Sequence, residues 1–312
     1  MTQPTDRILP GVALMLGFCT FAPLIDVASK LATATVPVGQ VTLARFVVQV
    51  ALMLPILLIM GQGLRLSRRA FRLTLWRALA SIAATFTFVW AVKHMPLADA
   101  LAIAFVEPFV LLVFGRLIFG DEVGPRRIAA SAVGFLGALL VIQPAFATFG
   151  WVALLPVVTA FAFAAYMLIT REASRAMTPE AMQFHTAWVA GAICLPVIVL
   201  ASGSGIAALD PVMPQGWAWA WLAGVGVAAT ISHMFMTYAL KLAPSATLAP
   251  LHYLEIVSAA TLGYLVFGDF PNALTWTGIG VIVASGLYII HRERVTAAKM
   301  RQARAATAPA AG

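Results

Sequence analysis

Apolar residues run along this chain in blocks of about 20, and each block ends at a short cluster of charged residues, proline or glycine. A helix needs about 20 mostly apolar residues to cross the ~30 Å hydrocarbon core of a bilayer. Ten blocks meet that length, at roughly residues 8–30, 38–60, 73–92, 97–119, 126–143, 151–170, 180–201, 216–240, 246–267 and 274–291. Strands of a membrane barrel would be about ten residues long and alternate in polarity, which these blocks do not. The expected fold class is an all-α integral membrane protein with ten transmembrane helices. The first block carries Asp26 and Lys30 and is too long for a leader's apolar core, so it reads as a retained first helix.

A second pattern appears when the chain is slid along itself by 148 positions. Between residues 91 and 121, ten of 31 positions match their counterparts, among them Pro96/Pro244, Glu107/Glu255, Gly120/Gly268 and Asp121/Asp269. That is an internal repeat, which divides the chain into residues 1–145 (helices one to five), 146–292 (helices six to ten) and a tail, 293–312. Five helices is an odd number, so the second repeat must enter the membrane in the opposite orientation to the first. Inverted repeats are a ground plan of secondary transporters, with the solute bound near the midplane between the halves.

Composition agrees with the membrane reading: 62% of residues are hydrophobic and 10% charged, with a mean hydropathy of +0.94, against about 25% charged in soluble domains. The net charge of +8 changes the picture only through where the cations lie. With the N-terminus inside, cytoplasmic segments hold Arg65, Arg68, Arg69, Arg72, the Arg126-Arg127 pair and the basic tail, while the outer loops hold Lys93, with Lys30 near the outer end of helix one. This is the positive-inside bias, and it places both termini in the cytoplasm. The cations therefore report topology and contact with anionic lipid headgroups, not nucleic acid. The tail is small and basic without apolar periodicity, so disorder is expected there. Cys19 and Cys194 fall inside predicted spans with no disulfide framework or metal-ligand spacing.

Candidate chemistry lies where lipid should have excluded polar groups, since an ionised side chain at the bilayer centre costs about 2.5–3.5 kcal/mol on insertion scales. Glu107 and Glu255 occupy symmetric positions in helices four and nine. They read either as carboxylates facing a central cavity, binding solute or carrying protons, or as hydrogen-bonding ties between helices; Pro108 adds a kink as a further role for its neighbour. His252, three residues before Glu255, projects from the same helical face, with hydrogen bonding, solute contact and metal ligation as its possible roles in that order. Its neighbour Tyr253 is an aromatic candidate for the same site. Asp26 and Lys30 are spaced to neutralise one another on one face of helix one, and Arg45 lies near the outer end of helix two, where it could snorkel. Together these three form either an outer gate and vestibule or a structural ion-pair cluster. His185 and His233 read as satisfied core groups, and glycines in helices five and ten as close packing contacts. No catalytic motif, metal set or cofactor motif is visible, so an enzyme is not expected.

The segments FGDEVGPRRIAASAVGFLGALLVIQP and YLEIVSAATLGYLVFGDFPNALTWTGIGVIVASGLYII resemble the two copies of the EamA domain, of the drug/metabolite transporter superfamily: a long apolar helix ending in a Gly-acidic pair, a short turn, then a Gly/Ala-rich helix. Asp121 and Asp269 stand where that family more often has glutamate. The resemblance implies ten helices in inverted halves and transport of a small-molecule solute without ATP, across the cytoplasmic (inner) membrane, with protons as candidate coupling ion. The stretch DVASKLATATVPVGQVTLARF, residues 26–46, resembles the first two helices of vitamin and cofactor importers in the superfamily. A riboflavin-like vitamin is the narrower expectation, an amino-acid or related metabolite exporter the alternative of the same fold, and a membrane scaffold the alternative outside it. Monomer and homodimer both stay open.

Overall fold

The computed structural model describes residues 8–62, 64–107, 109–110, 113–114, 117, 125–173, 176–242, 251 and 254–307. Among these residues every regular element is helical: α1 (Ile8–Ala32), α2 (Val38–Ile59), α3 (Arg68–His94), α4 (Leu97–Ala104), α5 (Pro125–Phe149), a 3-10 turn (Gly150–Leu154), α6 (Leu155–Ala173), α7 (Pro179–Leu200), α8 (Ala218–Leu242), α9 (Leu254–Phe267) and α10 (Ala273–Thr307). Six helical stretches among the described residues are long and apolar enough to cross a membrane. One of them is the run 132–170 through α5, the 3-10 turn and α6; α9 and the first half of α10 add shorter apolar helices.

Helix starts follow local chemistry. Ser67 accepts from the Ala70 amide at 3.2 Å, Thr178 from Ala181 at 3.3 Å and Asn272 from Thr275 at 2.8 Å, each satisfying an amide that the first turn leaves without a helical partner. α9 ends where Gly268 adopts a φ of +73° and its N–H bonds the Tyr264 carbonyl. Only glycine enters that left-handed conformation without steric cost, and the reversal carries the next residue, Asp269, back over the helix end.

α1 packs along α8, α3 along α6, α2 against α7 and α8, α5 against α10, and α1 and α4 against α9. The α5–α10 contact is close because glycines face each other: a Cβ on Gly278 would stand 2.8 Å from the Gly137 carbonyl oxygen. Of the other glycines expected in this contact, Gly134 instead receives the Phe109 ring, and Gly280 faces open space. Outward surfaces carry large apolar side chains such as Ile59, Leu136, Val199 and Leu200, the inverse of a soluble surface and the one a bilayer requires.

One end of the bundle gathers the α1–α2 turn, Met95, Asp269 and the loop 201–217, which clamps α2 through Gly39 N–H to Ala208 O (2.8 Å) and a double hydrogen bond between Gln40 and Val212. The opposite end holds the Arg69–Glu172 ion pair and the Thr178–Gln62 and Tyr238–Glu180 hydrogen bonds.

Two expectations are corrected here. The tail expected to be disordered continues α10 as helix to Thr307. Its alanines, lysine, arginines and glutamine are strong helix formers, so helix extends without an apolar face to bury. The single span expected over 97–119 is interrupted beside the Pro108 kink that the sequence offered: α4 stops at Ala104, Phe105 and Val106 form a turn with a tightened Val106 N–H to Ile103 O bond, and helical geometry resumes at Glu107. Pro108 has no N–H to offer Ala104 four residues back, which accounts for a break at this point.

Candidate functional site

The α4 break opens onto a cavity of about 150 Å³ at the centre of the bundle. Its walls come from both sequence halves: α1 and α3 supply Asp26, Ser81 and Thr85, the α4 break supplies Phe105 and Glu107, and α2, α6, α8 and α9 supply Arg45, Tyr166, His233 and Glu255. Glu107 and Glu255, 5% and 7% exposed, thus face one cavity, and Asp26 lies within electrostatic reach of both Glu255 and Arg45.

Arg45 does not snorkel. It is buried, with one terminal nitrogen donating to Thr85 Oγ1 and the other 3.2 Å from His233 Nε2, while its Nε has no hydrogen-bond partner among the described residues. The hydroxyl and imidazole hold the charge at the cavity wall more favourably than lipid would farther along the helix. His233 is therefore a satisfied group, as expected. His185 is not: it is buried on α7 with neither ring nitrogen hydrogen-bonded among the described residues.

Lys30 separates from Asp26. One helical turn beyond Asp26, its ammonium pairs with Asp269 at 2.7 Å, donates to Met95 O at 3.2 Å and sits 4.6 Å over the Phe267 ring. The spacing of four residues permits an Asp26–Lys30 pair, but Gly268 swings a carboxylate from 239 positions away into better reach, a tertiary contact that overrides the local one. The three residues grouped as an outer gate are thus divided: Asp26 and Arg45 line the cavity, and Lys30 lies above it.

At the other end of the cavity stands a residue that sequence reasoning missed. Arg77, 1% exposed, lies one turn beyond Ser81 on α3. Its four hydrogen bonds among the described residues end on uncharged oxygens: Thr170 Oγ1 (2.8 Å), Met182 O (3.1 Å), Thr186 Oγ1 and Tyr166 Oη. Tyr166 also stacks on Phe163 and meets His233 edge-on, so a continuous line of side-chain contacts links Arg45, His233, Tyr166 and Arg77. His252 and Tyr253 lie outside the described residues, as does Asp121. Among the described residues no group of three or more His, Cys, Asp or Glu is placed to hold a metal.

The site is thus a largely apolar, aromatic-walled chamber that carries acidic and basic side chains from both sequence halves of a helical bundle, the architecture of a solute-handling membrane protein. The EamA-like transporter family model matches residues 9–143 and again residues 150–291, and the chain belongs to that family. It is 25% identical to a riboflavin transporter of Brucella anthropi over 90% of this chain and 99% of that protein. A riboflavin transporter of Rhizobium johnstonii is 31% identical over 70% and 71%. The pseudopaline exporter CntI of Pseudomonas aeruginosa (strain UCBPP-PA14) is 29% identical over 93% and 98%.

Proposed function

We propose that this transporter takes up a flavin-class vitamin, riboflavin or a close analogue, by alternating access across the cytoplasmic membrane, with protons as coupling ion. The carrying observation is the single chamber into which Glu107, Glu255, Asp26 and Arg45 converge from both halves. A tricyclic vitamin with a polyhydroxylated tail needs what that chamber supplies: Phe105, Phe163 and Tyr166 for ring faces, and carboxylates to accept from hydroxyl and imide hydrogens. Pockets for ligands of that size enclose about 300–1,000 Å³, so the smaller chamber must widen as solute enters.

The helix packing supports two equivalent halves, and five helices in each half would make their orientations opposite. Exchanging α1–α5 for α6–α10 turns the α1–α8 contact into α6–α3, the α2–α8 contact into α7–α3, and leaves α2–α7, α4–α9 and α5–α10 as themselves. Two halves related in this way can rock about the chamber. With both termini cytoplasmic, the Lys30–Asp269 end faces outward and the Arg77 end inward.

A second reading, export of an amphoteric metabolite, is favoured by the presence of both signs of charge in one cavity, since Arg45 would take a carboxylate and the glutamates an ammonium. Proteoliposome flux separates the two. Riboflavin uptake stimulated by an inward proton gradient, with stimulation lost in Glu255→Gln, is the expected result. Flux of amino-carboxylate metabolites without riboflavin flux would establish the second reading, and unchanged gradient stimulation in Glu255→Gln would remove that residue from coupling.

A further inference from the structure

The Lys30–Asp269 ion pair joins α1, in the first half, to the α9–α10 turn, in the second. It lies one helical turn beyond Asp26, at the end of the chamber that the proposed orientation exposes to the outside. Any opening at this end pulls Asp269 away from Lys30. A lysine only 18% exposed does not lose its counter-ion freely, because removing one partner of a largely buried pair leaves a charge without compensation. Opening therefore needs a second acid.

One is in place. Asp99, in the first turn of α4, is 8% exposed, and its Oδ1 has no hydrogen-bond partner among the described residues. Its side chain lies beside Thr275 of α10 and within electrostatic reach of both Lys30 and Asp269. Lys30 already touches the Met95 carbonyl, four residues before Asp99 across the Pro96 turn. A buried carboxylate oxygen without a donor is an expensive feature unless a donor arrives during the working cycle. The burial of Asp99 between a lysine that will lose its acid and a threonine that the second half will carry away supplies that donor.

We infer that Lys30 is a two-position latch: bound to Asp269 of the second half when the outer end is closed, and handed to Asp99 of the first half when it opens. The transfer keeps the lysine charge compensated in both states, so the opening step carries no full ion-breaking penalty. Asp99 acts as a positioning residue for the conformational step and has no contact with solute. The inference rests on the transporter reading and on the outward orientation of this end, but not on which solute is carried.

The test uses no solute. Cys19 and Cys194 are replaced by alanine, Ala22 on the chamber wall becomes the reporter as Ala22→Cys, and its labelling by a membrane-impermeant maleimide is timed from outside in intact cells. Asp269→Asn should raise the labelling rate at least threefold, because the closed latch is lost while Asp99 remains. Asp99→Asn should lower it at least threefold, and Asp99→Glu should restore it. Thr275→Val, which removes the second-half hydroxyl beside Asp99 and leaves its carboxylate to Lys30, should raise it; this variant gives an independent answer if Asp99→Asn does not reach the membrane. Unchanged labelling in Asp99→Asn and Thr275→Val, or a rise in Asp99→Asn, would overturn the hand-over. Failure of riboflavin flux would leave these outcomes untouched.

Discussion

Arg77 shows how much one buried side chain can organise. Its guanidinium joins α3 to α6 and α7 through four uncharged oxygens, a fork geometry that an ammonium cannot copy. Arg77→Lys keeps the charge but, with three donors for four acceptors, strands at least one of them, each bond to a charged donor being worth about 1.5–3 kcal/mol. The detergent-solubilised variant should lose on the order of 3 kcal/mol and melt several degrees below the unsubstituted protein; an unchanged melting temperature would show that the oxygens rehydrate freely. The sequence hid this residue for a definite reason. A span expected over residues 73–92 puts Arg77 near the helix end, where cations are common, but α3 begins at Arg68, and the earlier start carries Arg77 into the third turn and out of reach of water. Asp99 was hidden similarly, as an ordinary first-turn acid. Glu107, Glu255, Asp26 and Arg45 were legible because carboxylates and a guanidinium inside apolar blocks are costly wherever the helix turns, whereas Lys30's partner was illegible because no local spacing reports a residue 239 positions away.

At the level of elements, block length and punctuation placed helix ends among the described residues closely where caps were strong, as at Thr178-Pro179 and Gly268. At the α4 break Pro108 signalled a kink, but block length did not show that α4 stops at Ala104, because the apolar run continues through the turn. The packing of α5 on α10 gives a sharper test of how these elements meet. A methyl on Gly278 would press on the Gly137 carbonyl and on Val141, 2.4 Å from its nearest carbon, whereas one on Gly280 meets nothing within 4 Å. Overpacking of this kind costs about 1–3 kcal/mol, while alanine in an open helical position gains up to about 1 kcal/mol over glycine. Gly278→Ala should therefore lower the melting temperature, and Gly280→Ala should hold or raise it. Equal effects at both positions would mean that the two helices separate without cost.

For the whole molecule, the decisive quantity is the orientation of one half relative to the other. Residues 64 and 204 both follow the second helix of their half, after α2 and after α7, and both are exposed. Halves in the same orientation would put them on one side of the membrane; inverted halves put them on opposite sides. The cation distribution favours inversion, because the segment 65–72 holds Arg65, Arg68, Arg69 and Arg72 whereas the described loop 201–217 holds no lysine or arginine, and moving such a basic cluster to the outer face opposes the positive-inside bias. With Cys19 and Cys194 replaced by alanine, Ser204→Cys should react with an impermeant maleimide added to intact cells, and Leu64→Cys only after the membrane is opened. Ala176→Cys, between α6 and α7, should behave like Leu64→Cys. Labelling of Leu64→Cys and Ser204→Cys from the same side would dismantle the inverted arrangement, and with it the assignment of the Lys30–Asp269 end to the outside; opposite-sided labelling would give the two ends of the chamber the distinct addresses that alternating access requires.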